Sequence, residues 1–422
     1  MISTPQTLAV WTIAVLATAG VIARPFKWPE AVWAVAGATL LVGAGLLSLS
    51  SGWRAIGKGL DVYLFLTGMM LLSEVARREG LFDWVAAVAV NLSSGSPKRL
   101  FPLIYAAGVL VTAFLSNDAT AVVLTPAVYA ATKKAKADPL PYLFICAFIA
   151  NAASFVLPIS NPANIVLYAS HTPPLGQWLA SFAVPSALSI IATYAALRWS
   201  QRAALRAPCE SRVEQPRLTV GGRTAMIGIA ATAIGLLVVS ALDRPLGAPT
   251  FILGLGTAIV VLARDRTAIR PVVRGVSWGV LPLVAGLFVL VEAVDQTGLA
   301  AALTGLLNAG VKESLTGTAA AAGAGLALIS NLMNNLPAGL VASGVIAQAH
   351  PPRAIVDALL VGVDLGPNLS ITGSLATILW LTAIRREGQS VGFWRFLKVG
   401  ALVMPPALLL ALAGRLLLGA IG

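Results

Sequence analysis

Long apolar runs interrupted by short polar breaks set the pattern of this chain. Phe101 to Ala131 is largely apolar except at Ser116-Asn117-Asp118, and Gly317 to Val341 except at Ser330-Asn331 and Asn334-Asn335. Many runs approach or exceed the ~20 residues a helix needs to cross a bilayer. None shows the ~10-residue alternation of a membrane barrel. The pattern predicts crossings near 7–24, 29–50, 60–77, 140–168 and 176–197, then near 224–242, 248–263, 277–294, 355–383 and 394–420. Polar groups and unwound backbone are costly in hydrocarbon and persist only where protein or water surrounds them. The segments at about 98–133 and 315–348 are therefore read as re-entrant helical hairpins. Those at about 140–168 and 355–383 are read as broken transmembrane helices.

The two sets follow one plan. Glu74 and Gly80-Leu81 recur at one common spacing as Glu292 and Gly298-Leu299. Asn117-Asp118 recurs as Asn334-Asn335 at a spacing shorter by one position, and Pro158–Pro162 faces Ser370–Ser374 at a slightly shorter spacing still. Short insertions explain the drift. The expected fold is an all-α polytopic membrane protein, an inverted-topology repeat of two five-crossing halves. Residues 1–197 form the first half, 198–223 a basic cytoplasmic linker with Pro208, Pro216 and Gly221-Gly222, and 224–422 the second half. Five crossings is an odd number, so the second half enters the membrane from the opposite side.

Composition agrees with a membrane protein: 58% of residues are hydrophobic, 11% are charged, and mean hydropathy is +0.85. A net charge of +12 suggests nucleic acid in a soluble protein; here it reflects topology, because basic residues collect in cytoplasmic loops. With both termini outside, only Arg54, Lys58, Arg244, Lys312, Arg353 and Arg415 of the 29 basic residues fall on the outer face. The first seven residues carry no Lys or Arg, unlike a signal peptide. Cys146 and Cys209 form no disulfide framework.

Chemistry is expected at the breaks. Asp118 sits in mid-membrane, where a carboxylate costs at least ~2.5–3.5 kcal/mol on insertion scales. It is either a proton carrier or substrate acceptor, or a cap for the helix after the tip. Asp364 precedes Gly366-Pro367, where a helix must break. Asn117, Asn334 and Asn335 bring amides that both donate and accept, and Ser160, Asn161, Asn164, Thr372 and Ser374 add to them. Such a lining suits a neutral, hydroxyl-rich solute, although many of these groups would serve their own backbone. Glu74 and Glu292 read as interface residues or partners of Arg77 and Arg78, and Asp83, His171 and His350 as loop residues.

Leu115-Ser116-Asn117-Asp118 with Leu124-Thr125-Pro126, Ser160–Ile165, Met333-Asn334-Asn335-Leu336-Pro337, Asp364–Pro367 and Gly373–Thr377 resemble the arsenite efflux permeases of the ArsB type, within the ion transporter superfamily. The resemblance covers nearly the whole chain. It implies export of trivalent arsenic and antimony across a bacterial inner membrane, driven by the proton gradient or with a soluble arsenite-stimulated ATPase. It maps Asn117, Asp118, Asn334, Asn335, Asp364, Thr372 and Ser374 onto the family's motif positions.

Arsenous acid is neutral at pH 7 and presents three hydroxyls, so a site of hydroxyl, amide and carboxylate groups would bind it weakly and reversibly. Two Cys cannot form a three-thiolate trap. No Lys or Arg lies at the breaks, which argues against an anion carrier. The expected partners are arsenite or antimonite, protons and membrane lipid, without nucleic acid, metal or cofactor; a homodimer is left open. Asp118 and Asp364 would couple protons to export. The nearest alternative is a sodium–proton antiporter using the same carboxylates and amides. A remoter one is an intramembrane aspartyl protease using Asp118 and Asp364. A zinc protease lacks its His-Glu-x-x-His signature.

Overall fold

A computed structural model describes residues 4–168 and 172–421, which leaves His171 outside the described residues. Among them every regular element is helical. The chain opens with α1 (Thr4–Ala23), α2 (Glu30–Gly43), α3 (Leu49–Lys58), α4 (Leu60–Arg78) and α5 (Leu81–Ser93). Next come α6 (Pro97–Phe114), α7 (Asn117–Ala119), a wide turn at Thr120–Leu124, and α8 (Thr125–Lys134). Then follow α9 (Leu140–Ala152), α10 (Pro162–Tyr168) and α11 (Leu175–Ser200).

After the linker, the order repeats as α12 (Val220–Ala241), α13 (Gly247–Leu262), α14 (Ile269–Gly275), α15 (Val280–Asp295) and α16 (Leu299–Glu313). It continues with α17 (Leu315–Met333), α18 (Asn335–Ala349), α19 (Arg353–Leu365), α20 (Leu375–Arg386) and α21 (Phe393–Ile421). Six of these helical stretches are long and apolar enough to cross a membrane, or seven if α3 and α4, bent by 48°, form one span. The ten expected crossings are thus not ten long helices. Helices α2, α5, α9 and α13 are short and apolar. Neither α5 nor α16 is among the elements expected from the sequence.

Gly80 and Gly298 end α4 and α15 with φ of 74° and 94°, a left-handed turn that glycine adopts without strain. Each turn swings the chain directly into α5 or α16. Apolar burial gains little when the alternative surroundings are lipid, so helices here associate by close approach of small residues. Gly68 of α4 lies against the Thr250 carbonyl of α13, with no room for a Cβ. At Gly286 of α15 a Cβ would stand 2.7 Å from the Ala34 backbone of α2. Gly362 of α19 packs likewise on the Gly323 carbonyl of α17. Elements distant in sequence meet: α10 packs on α18, and α20 on the 120–124 turn and α8.

Candidate functional site

Two hairpin tips and two helix breaks converge at one point. The first tip is capped by Ser116, whose hydroxyl accepts from Ala119 N at 3.2 Å. The second is capped by Asn334, whose Oδ1 accepts from Leu336 N at 3.3 Å, with φ of 75°. The two caps keep the spacing of Glu74 to Glu292, one position more than the spacing read from the Asn pairs. Asn117 therefore corresponds to Asn335, and Asp118 to Leu336. Beyond the first tip, Pro126 offers no N–H, and the helix widens before it. There the Thr125 hydroxyl donates to the Thr120 carbonyl at 3.0 Å.

Of the expected site residues, Asn117, Asp118, Asn161 and Asn335 line one narrow gap, closed by Leu66, Pro162, Leu336 and Leu375. Asp364 stands one bond behind it: Asn161 Nδ2 donates to Asp364 Oδ1 at 2.8 Å. Asp364 is fully buried, and its Oδ2 has no partner among the described residues. The Asp118 carboxylate likewise accepts no hydrogen bond among them. The remaining five serve the backbone. Ser160 donates to Ala113 O at 3.0 Å, tying the first break to α6. Asn164 Nδ2 reaches the carbonyls of Ser154, Leu157 and Pro158. Asn334 caps α18. Thr372 donates to Asn331 O, and Ser374 caps α20 by accepting from Thr377 N.

Several polar partners lie outside the sequence expectations. Asn151 Nδ2 donates to Asn368 Oδ1 at 3.0 Å, joining α9 to the second break, while Asn368 donates to Phe148 O. Asn331 Nδ2 holds the carbonyls of Ala327 and Gly366. Asn331 belongs to the polar break already noted at Ser330-Asn331, whereas Asn151 sits in an apolar run and that is the only signal the sequence offers for it. Glu74 pairs with Arg77 as expected, but Glu292 pairs with Lys58 at 2.7 Å.

Two larger cavities flank the gap. One of about 580 Å³ is lined by Arg77, Arg274 and Arg386 with Glu74, Asp83 and Glu387. The other, of about 390 Å³, is lined by Lys58 with Asp61, Glu292 and Asp295, and its apolar wall includes Val62, Ile165 and Leu340. A small void lies between the Arg-lined vestibule and the central gap, sharing Glu74 and Ser277 with the former and Asp118 and Pro162 with the latter. The acidic vestibule shares no lining residue with the gap.

Residues 10–384 match the citrate transporter family, CitMHS. The arsenical pump membrane protein of Escherichia coli strain K12 is 30% identical over 366 residues, which covers 82% of this chain and 83% of that one. Its Yersinia enterocolitica namesake is 28% identical over 360 residues, with the same coverage. Among solved structures, the Alcanivorax borkumensis YdaH transporter, described as having an unusual topology, superposes with a TM-score of 0.58 over 98% of each chain. At 18% identity that likeness speaks for the fold alone. The chain belongs to the citrate transporter family and, within it, to the ArsB-type membrane transporters.

Proposed function

We propose that this transporter exports arsenite, and antimonite with it, from the bacterial cytoplasm in exchange for protons. The observation that carries the reading is the central gap. Three amides and one carboxylate face it, and no Lys or Arg does. Amides offer both donors and acceptors to a neutral trihydroxylated solute. An anion would meet no cation there. The arsenical pump relatives support the same substrate class.

Proton exchange rests on Asp118 and Asp364. At Asp364 a buried carboxylate oxygen without a partner is costly unless it carries a proton or meets a solute. Protons from outside would neutralise Asp118 or Asp364 and release the solute; deprotonation at the cytoplasmic face would restore the binding form. The matching order of elements supports two inverted halves, with α6–α8 and α17–α18 as re-entrant hairpins. The bias of basic residues supports a cytoplasmic position for the Arg-lined vestibule and linker 198–223, with both termini outside. In that orientation the small void beside the gap lies toward the cytoplasmic side, which supports loading from that side.

The test is arsenite uptake into everted membrane vesicles under an imposed pH gradient without sodium. Gradient-dependent uptake that a protonophore abolishes is expected. Proton movement that requires sodium, without arsenite uptake, would replace this reading by the sodium–proton antiporter.

A further inference from the structure

The small void between the Arg-lined vestibule and the central gap has a lining of its own. Its volume is about 50 Å³, and its polar wall is Ser73 and Glu74 of α4, Ser116 and Asp118 of the first tip, and Ser277 before α15. One water needs roughly 10–15 Å³ of such space, so the void holds a few waters or one small solute. No Lys or Arg lines it.

From the sequence, Glu74 reads as an interface residue. In the fold it is nearly buried and held from one side. Arg77 Nε donates to Oε2 at 2.8 Å and Arg77 Nη2 to Oε1 at 2.5 Å. That pairing fixes the carboxylate in place, while leaving it lone pairs for further donors. Gly275 packs against the same carboxylate with no space for a Cβ, so glycine at this position gives Glu74 its seat. On the opposite wall the Asp118 carboxylate accepts no protein hydrogen bond among the described residues. Two acceptor groups thus face one small space, flanked by three hydroxyls that can donate or accept.

We propose that this void is a loading subsite, in which Glu74 and Asp118 accept hydroxyl hydrogen bonds from the neutral polyhydroxylated solute before it passes to Asn117, Asn161 and Asn335. The subsite rests on the arsenite reading and adds a substrate-contacting residue, Glu74, on the cytoplasmic side only. Its counterpart by position, Glu292, faces the other vestibule and contacts neither void nor gap.

The experiment compares arsenite KM from the two faces of everted vesicles: initial uptake for the cytoplasmic face, and exchange out of preloaded vesicles for the other. Glu74→Gln is expected to raise the cytoplasmic-face KM about tenfold or more, the scale of one lost hydrogen bond to a charged group, with Vmax falling less. The KM from the opposite face stays as in the unaltered protein. Ser277→Ala, a milder change should Glu74→Gln fail to fold, is expected to raise the same KM about twofold by losing one neutral hydrogen bond. An unchanged KM in both variants would make the void a water-filled passage and overturn the subsite. An equal rise from both faces would assign Glu74 a structural role and also overturn it. No saturable arsenite uptake by the unaltered protein would remove the arsenite reading itself, and the subsite with it.

Discussion

Phe144 and Asp357 are each the fifth residue of their helices, α9 and α19, yet their surroundings are opposite in kind. Around Phe144 the packing is aromatic: its ring lies 6.0 Å from that of Trp380, and Phe148 stacks on Phe396 at 5.0 Å. Around Asp357 it is ionic. Asp357 is fully buried and accepts from Arg415 Nε at 2.6 Å and Tyr168 Oη at 2.7 Å, with Arg353 Nε at 3.6 Å. One architecture thus anchors one helix by shape and the other by charge. The anchoring differs in what a single change leaves behind. Losing an aromatic ring leaves a cavity, whereas losing one ion leaves its partner buried and uncompensated. The ionic anchor sits two turns before Asp364 on the same helix, so it sets where that carboxylate stands.

The sharpest break of this comparison is Arg415→Leu, expected to cost about 3 kcal/mol, the low end for a broken buried pair, because Asp357 keeps Tyr168 and the longer contact to Arg353. Thermal unfolding in detergent measures it. Pairing it with Asp357→Leu should recover most of that loss, because an apolar replacement of a buried ion pair is often neutral. Leu197 already occupies the position that matches Arg415 in the first half, at the spacing that relates Glu74 to Glu292. A double variant as unstable as the single one would show that the ionic anchor has no apolar substitute.

On the aromatic side, Phe396→Ala should cost about 3 kcal/mol, at the lower end for a buried Phe. Unlike Arg415→Leu, it should not be recovered by any charge change. A smaller effect is expected at Gly362→Ala, about 1–3 kcal/mol, because a methyl there meets the Gly323 carbonyl and would shift α19 from α17. Smallest is Lys58→Gln. Its pair with Glu292 is well exposed on the lysine side, so the loss should be under about 1 kcal/mol.

How much of this was legible in the sequence follows from range. The helical membrane class and the transporter family were visible in local runs and motifs. Asn117, Asp118 and Asn161 announced themselves because polar residues interrupt apolar stretches, and they do line the gap. Asp357, Tyr168 and Arg415 did not, because their bonds span 58 and 189 residues and form only where α10, α19 and α21 meet. Counting charges by face treated Arg415 only as a loop charge, and its burial against Asp357 depends on the fold. Glu74 looked like a helix-end carboxylate because its neighbour Ser277 is distant in sequence. The one-residue shift between the tips was hidden for another reason: Ser116 and Asn334 cap alike but differ in type.

The most direct test of proton-coupled export is arsenite accumulation by Asp118→Asn and Asp364→Asn in everted vesicles, set against arsenite–arsenite exchange in the same vesicles. Amides keep the shape of these side chains and cannot cycle a proton. At least one variant is predicted to lose pH-driven accumulation by tenfold or more while exchange persists. Accumulation by both variants at the level of the unaltered protein would contradict it.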